Sequence, residues 1–134
     1  SLAAHWSNAE NDRAAYTYYT NGDGTWHSQP NYKISDALTS CGWDYVMLQQ
    51  DSALAGIEST YNDNLTNLVD YVKALCPNAQ LVWNMTWAYA EGSEKLAQTA
   101  YADQADMHHS TVSAVMNMID TNSDFFAILC DCRF

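Results

Sequence analysis

Two stretches of the chain share one pattern, an apolar run that stops abruptly in polar groups. The first is Trp43-Asp44-Tyr45-Val46-Met47-Leu48, closed by Gln49, Gln50, Asp51 and Ser52; the second runs from Leu81-Val82-Trp83 to Tyr89. Four successive apolar-bodied residues, Tyr45 to Leu48, suit a strand buried on both faces, as in a parallel sheet covered by helices. Between the two runs, Leu65, Leu68, Val69, Val72 and Leu75 recur at helical spacing, with Asp63, Asn67, Asp70 and Lys73 filling the opposite face. Cys76-Pro77-Asn78 stops that helix, because proline cannot continue it and restricts the residue before it. Strand, helix and strand therefore predict a crossover unit with two parallel strands and right-handed topology.

The same reading extends to the flanks. Leu2 to Ala15 predicts a short helix with His5 and Trp6 at its start, His5 being read as a capping or surface group. Ala15 to Thr20 is aromatic and β-branched, and Asn21-Gly22-Asp23-Gly24 separates it from Thr25-Trp26-His27. This is a hairpin signal, since such turns need residues that tolerate positive φ. Ser35 is the expected N-cap of a short helix ending near Gly42. Ala53 to Thr60 is a loop of small residues. A long helix is expected from about Lys95 or Tyr101 to Ile119, burying Ala105, Val112, Val115, Met116 and Ile119, and Phe125 to Leu129 is a third buried strand.

Composition narrows the function classes. The 134 residues, 48% hydrophobic and 16% charged, make one domain with a real core. A formal net charge of -11 repels phosphate backbones and anionic membranes, which argues against a nucleic-acid partner. No apolar stretch approaches the roughly 20 residues that span a bilayer, so membrane insertion is not expected. Any signal peptide would lie upstream of Ser1, and a secreted or periplasmic location stays a candidate. Cys41, Cys76, Cys130 and Cys132 match no zinc or Cys-x-x-Cys spacing, while their disulfide pairing stays open. Asp106 and His109 would supply only two metal ligands and are read as surface or capping groups, so no metal or other cofactor is expected.

In open α/β sheets, ligands bind beyond the carboxyl ends of the strands, which singles out Gln49, Gln50 and Ser52, and after the second run Thr86, Trp87 and Tyr89. Amides at strand ends also serve simply to satisfy loop backbone groups. Trp43-Asp44-Tyr45-Val46, Leu48-Gln49-Gln50 with Ser52, Pro77-Asn78-Ala79, Leu81-Val82-Trp83, Met85-Thr86-Trp87-Ala88-Tyr89 and Tyr101 with Asp103-Gln104 and Met107 together resemble an SGNH-type (GDSL-like) hydrolase. More narrowly, they resemble a bacterial domain-of-unknown-function branch of that superfamily. The resemblance implies a flavodoxin-like three-layer α/β/α fold with a parallel central sheet, to which the hairpin is an insertion. It also implies an ester-hydrolysing site at the strand ends. Such sites combine a serine nucleophile after the first strand, a glycine after the second, an asparagine or glutamine after the third and a C-terminal histidine base.

Only the third element, Gln49 or Gln50, can be carried over, as an oxyanion donor. The serine and glycine would precede Ser1, and the histidine would follow Phe134. The expectation is thus a partial domain, truncated at both ends and inactive alone, of an esterase acting on a small-molecule or acylated-carbohydrate ester. Ser52 is a poor substitute nucleophile, because no strand-to-helix elbow surrounds it. The alternative is a carbohydrate-binding module of the same fold, with Trp87, Tyr89 and Trp26 stacking on a sugar without turnover.

Overall fold

The computed structural model describes residues 1–122 and 124–129. Cys130, Cys132 and the segment to Phe134 lie outside the described residues, and with them two of the four cysteines whose pairing was left open. Cys41 and Cys76 are free thiols.

The architecture is α/β. A parallel sheet is built from β3 (Tyr45–Leu48), β4 (Gln80–Asn84) and β5 (Phe125–Leu129), in that order across the sheet. A separate antiparallel hairpin joins β1 (Tyr16–Thr20) to β2 (His27–Tyr32), with Gly24 at φ 82° in the connecting turn. The helices are α1 (Leu2–Glu10), α2 (Ile34–Thr39), α3 (Asp63–Leu75), α4 (Glu94–Ala97) and α5 (Gln104–Thr121).

Helix α3 has the expected face: Leu65, Leu68, Val69 and Val72 are buried, and each such aliphatic group contributes roughly 1.5–3 kcal/mol on leaving water. The Asn62 side chain caps its start by accepting from the Asn64 amide. Leu81 and Trp83 join these residues in one core with Leu2, Leu38, Val115 and Met118. Val82, pointing the other way, is buried too, so β4 has both faces covered.

Strand β3 does not meet the expectation of burial on both faces. It stands at the edge of the sheet, and its burial alternates: Tyr45 and Met47 are 59% and 51% exposed, whereas Val46 and Leu48 turn toward the core. An apolar tetrapeptide without polar alternation cannot reveal which of its faces lacks cover. Helix α1 stops at Glu10, short of Ala15, because Asp12 adopts φ 50° and breaks the helical path. Ser35 is not the cap of α2. Lys33 holds the cap position without a side-chain bond to the helix amides, and the Ser35 hydroxyl donates instead to Asp12 Oδ1 at 3.0 Å, beside the Lys33–Asp12 ion pair. That helix closes at Thr39, where Thr39 and Ser40 hydroxyls donate back to Ser35 and Ala37 carbonyls.

The long C-terminal helix is likewise divided, with α4 and α5 separated by a turn, and its buried stripe is rotated from the expected one. Met107, Thr111, Ala114, Val115 and Met118 face inward, while Ala105 and Met116 are exposed. Asp106 caps locally, accepting from the Ala102 amide at 2.9 Å. Gly56 explains the rotation. It lies so close to α5 that a Cβ there would come within 2.7 Å of the Tyr101 hydroxyl, 2.8 Å of Ser110 Cβ and 2.9 Å of the Thr111 amide nitrogen. The loop rests on α5 at Ser110 and Thr111, and so brings that face of the helix inside.

His5 is not a surface or capping group. It is half-buried, its Nδ1 lies 2.8 Å from the Tyr16 hydroxyl and its ring stacks on Tyr16. Both side chains line an open-sided cavity of about 350 Å³ bordered by the hairpin, α1, α2, α3 and β3.

Two outcomes follow from this packing. Gly56→Ala should cost about 2 kcal/mol through overpacking, since the nearby α5 backbone cannot yield as a side-chain tip can. A thermal melt checks it, and an unchanged Tm would show that the loop moves freely. Burial pushes the His5 pKa below its ordinary value, so the fold favours neutral imidazole. Its contribution is complete above the unfolded pKa of about 6.5 and is lost as pH falls toward the lowered folded value, because the unfolded chain binds the proton first. The Tm advantage of wild type over His5→Gln should therefore shrink between about pH 7.5 and 5. A constant difference across that range would refute it.

Candidate functional site

The carboxyl ends of β3 and β4 lie side by side, and the register that pairs Leu48 with Trp83 brings the next residues, Gln49 and Asn84, together. Asn84 Nδ2 donates to Gln49 Oε1 at 2.7 Å. The bond fixes the Gln49 carboxamide and leaves its Nε2 group without a partner among the described residues. Gln49 is exposed, so these N–H groups face open space at the strand end.

Gln50 points the opposite way, as successive residues of an extended chain must. It is 2% exposed and engaged at both ends of its amide: Oε1 accepts from the Leu2 amide at 3.0 Å and the Asp51 amide at 2.9 Å, while Nε2 donates to Thr60 Oγ1 at 3.1 Å. Leu2 is the first residue of α1, so Gln50 satisfies one of the amides that a helix start leaves unpaired. It also closes the loop from residue 50 to 60 on itself. Thr60 in turn donates to the Ile57 carbonyl, and Tyr61 donates to the Ala55 carbonyl at 2.7 Å. Burial raises the Tyr61 phenol far above its ordinary pKa, so it remains a donor. The Tyr101 hydroxyl accepts from the Gly56 amide at 2.9 Å.

Ser52 is half-buried in the turn after Gln50, and its hydroxyl bonds to no histidine among the described residues. Asp51 stabilises that turn, Oδ1 accepting from the Ala53 amide. The chain after β4 leaves the sheet at once and is anchored on a second small core of Ala88, Leu96 and Met107, with the Tyr89 amide donating to Met107 Sδ at 3.3 Å. Trp87 is left 67% exposed, and Tyr89 is half-buried with Lys95 Nζ 5.8 Å from its ring centre. The Thr86 hydroxyl is closed from solvent and has no hydrogen-bond partner among the described residues. Trp26 is 71% exposed at the turn end of the hairpin, and no ring contact among the described residues joins it to Trp87 or Tyr89.

The structure thus brings Gln49 and Gln50 to one strand end and gives them unlike surroundings. Asn84 is the site residue that sequence reasoning missed. Its signal was available, because aligning the two apolar runs as adjacent parallel strands places the first polar residue after each in the same row. Among the described residues there is no group of three His, Cys, Asp or Glu side chains able to hold a metal ion, and no helix long and apolar enough to cross a membrane.

A crystal structure of a DUF4886 family protein from Bacteroides uniformis is similar to this chain at 31% identity and a TM-score of 0.89. The similarity covers 96% of this chain and 50% of the Bacteroides one, so the chain spans half the length of that relative. A search of curated proteins gives no significant match. The sequence profile of the domain of unknown function DUF4886 matches residues 1–124, and the chain belongs to that family.

Proposed function

We propose that this chain forms the oxyanion-binding part of an ester-hydrolysing site of the SGNH type, with Gln49 as the donor. The observation that carries the reading is the asymmetry of the glutamine pair. Gln50 is buried and spent on three hydrogen bonds, while Gln49 is held by its carbonyl oxygen and turns free N–H groups outward from the end of a parallel strand. Attack on an ester builds negative charge on the carbonyl oxygen, and a donor already fixed in place stabilises that charge without reorganising. Asn84 is the positioning residue, since its bond to Oε1 sets the direction of the Gln49 amide.

The nucleophile and its base belong, on this reading, to polypeptide outside residues 1–134, in keeping with a family relative of twice the length. Residues 1–134 alone should then show no turnover of an aryl acetate. Turnover abolished by Ser52→Ala would overturn the assignment and make Ser52 the nucleophile.

A second reading has its own observation. Trp87 is 67% exposed beside the end of β4, and an indole face held open in this way suits stacking on a sugar ring. On the esterase reading the same residue would hold the carbohydrate of an acylated substrate.

In the polypeptide of the complete reading frame, Gln49→Ala should lower kcat roughly a hundredfold to a thousandfold with little change in Tm. Gln50→Ala should do the reverse in part: removing its buried carbonyl strands the Leu2 and Asp51 amides, costing about 1–3 kcal/mol for such a loss. Melting and turnover measured together separate the two. Full activity of Gln49→Ala on every ester hydrolysed by the wild type would end the oxyanion assignment and favour sugar binding.

A further inference from the structure

Cys41 and Cys76 occupy matching places in the fold. The register pairs Tyr45 of β3 with Gln80 of β4, and each cysteine stands four residues before that pair, Cys41 just after α2 and Cys76 at the end of α3. Neighbouring parallel strands start side by side, so the two turns that lead into them lie together at the amino end of the sheet. The Gln80 amide donates to the Asp44 carbonyl at 2.9 Å, which carries the pairing one residue further toward the cysteines.

The side chains converge as well. Cys76 Sγ donates to the Leu38 carbonyl at 3.0 Å. Leu38 lies three residues before Cys41, and Ser40 between them keeps helical backbone angles, φ -68° and ψ -25°. Residues three apart on a helical path share a face, with Cβ atoms about 5–6 Å apart, so Cys41 comes one turn after the residue that holds Cys76. Burial pushes the Cys76 thiol above its ordinary range, and Cys41 pushes it further, as a second thiolate does within electrostatic reach. The two differ in access: Cys76 is buried and Cys41 is exposed. A Cβ on Gly42 would meet nothing within 4 Å, so the segment that carries Cys41 has room to shift.

We propose that Cys41 and Cys76 are a redox-sensitive pair that closes to an intramolecular disulfide by exchange with a low-molecular-weight disulfide such as oxidised glutathione. The exposed Cys41 thiolate attacks one sulfur of that disulfide, which releases one thiol and leaves a mixed disulfide on Cys41. Cys76 then attacks the Cys41 sulfur and releases the second thiol. Two protein thiols are oxidised, one small disulfide is reduced, and the two thiol protons end on the released thiols. Two thiolates do not make a metal site, and no third ligand joins them among the described residues. The bridge ties the entries to β3 and β4 at the end of the sheet opposite Gln49 and Asn84, and it encloses β3, Gln50 and α3 in one covalent loop. Such a loop restricts the unfolded chain more than the folded one. The inference rests on the two turns and does not depend on ester hydrolysis.

The test incubates the polypeptide of the complete reading frame, folded and reduced, with oxidised glutathione, and follows intact mass, peptide mapping and Tm. The mass should fall by two hydrogens, and a digest without reductant should join the Cys41 peptide to the Cys76 peptide. Tm should rise by about 5–10 °C and return on addition of dithiothreitol. Cys76→Ser should hold glutathione on Cys41, whereas Cys41→Ser should leave the buried Cys76 unmodified. If Cys76→Ser is poorly folded, Cys41→Ser at the exposed position still reads whether Cys76 reacts alone. Wild type that keeps glutathione on Cys41 without closing, or that does not react at all, would overturn the proposal. So would a bridge mapped to Cys130 or Cys132, or a Cys41–Cys76 link found only between two molecules on a non-reducing gel.

Discussion

A single buried carboxamide ties the working end of this domain together. Gln50 joins the start of α1, the end of β3 and the loop that returns to α3, through the Leu2 amide, its neighbour Asp51 and the Thr60 hydroxyl. A buried amide group is stable only when both ends are satisfied, and here oxygen and nitrogen each have partners from different elements. Gln50 anchors the backbone at the strand end, and the bond from Asn84 then sets the direction of the neighbouring Gln49 amide.

The loop below it follows the same logic of internal satisfaction. Residues 52–61 form no long helix or strand, yet Thr60, Tyr61 and Tyr101 cover loop carbonyl and amide groups that regular structure would have covered. Gly56 permits the close approach to α5 that makes the Tyr101 bond possible. A loop whose polar groups are bonded in this way has its backbone satisfied without regular structure.

The elements that depend on local periodicity were legible in the sequence. Helix α3, the hairpin and the three strands of the parallel sheet come directly from spacing and turn chemistry. What depends on a distant partner was not. Tyr45 to Leu48 read as wholly buried, because the run names apolar residues and cannot say that one edge and one face of it stand open. The stripe of α5 was misplaced because Gly56, nearly fifty residues upstream, chooses which side of that helix is covered. His5 was read as peripheral, since its contact is Tyr16, in a different element. At the strand end, position pointed to both glutamines, and only the contacts of Gln50 distinguish the buried, bonded one from the exposed one.

The chemistry of the exposed one follows from counting groups. Gln49 and Asn84 together own four N–H donors and four carbonyl lone pairs, and their mutual bond uses one of each. With Asn84 donating, the Gln49 carboxamide keeps both of its N–H groups, and Asn84 keeps one N–H and its carbonyl oxygen. In a chain with sixteen acidic and five basic residues, this neutral pair at the ends of adjacent parallel strands presents oriented N–H groups where the overall charge is hostile to free anions. On the reading proposed above, such a pair would have little attraction for an anion arriving from solution and would stabilise negative charge that develops on an atom already held against it.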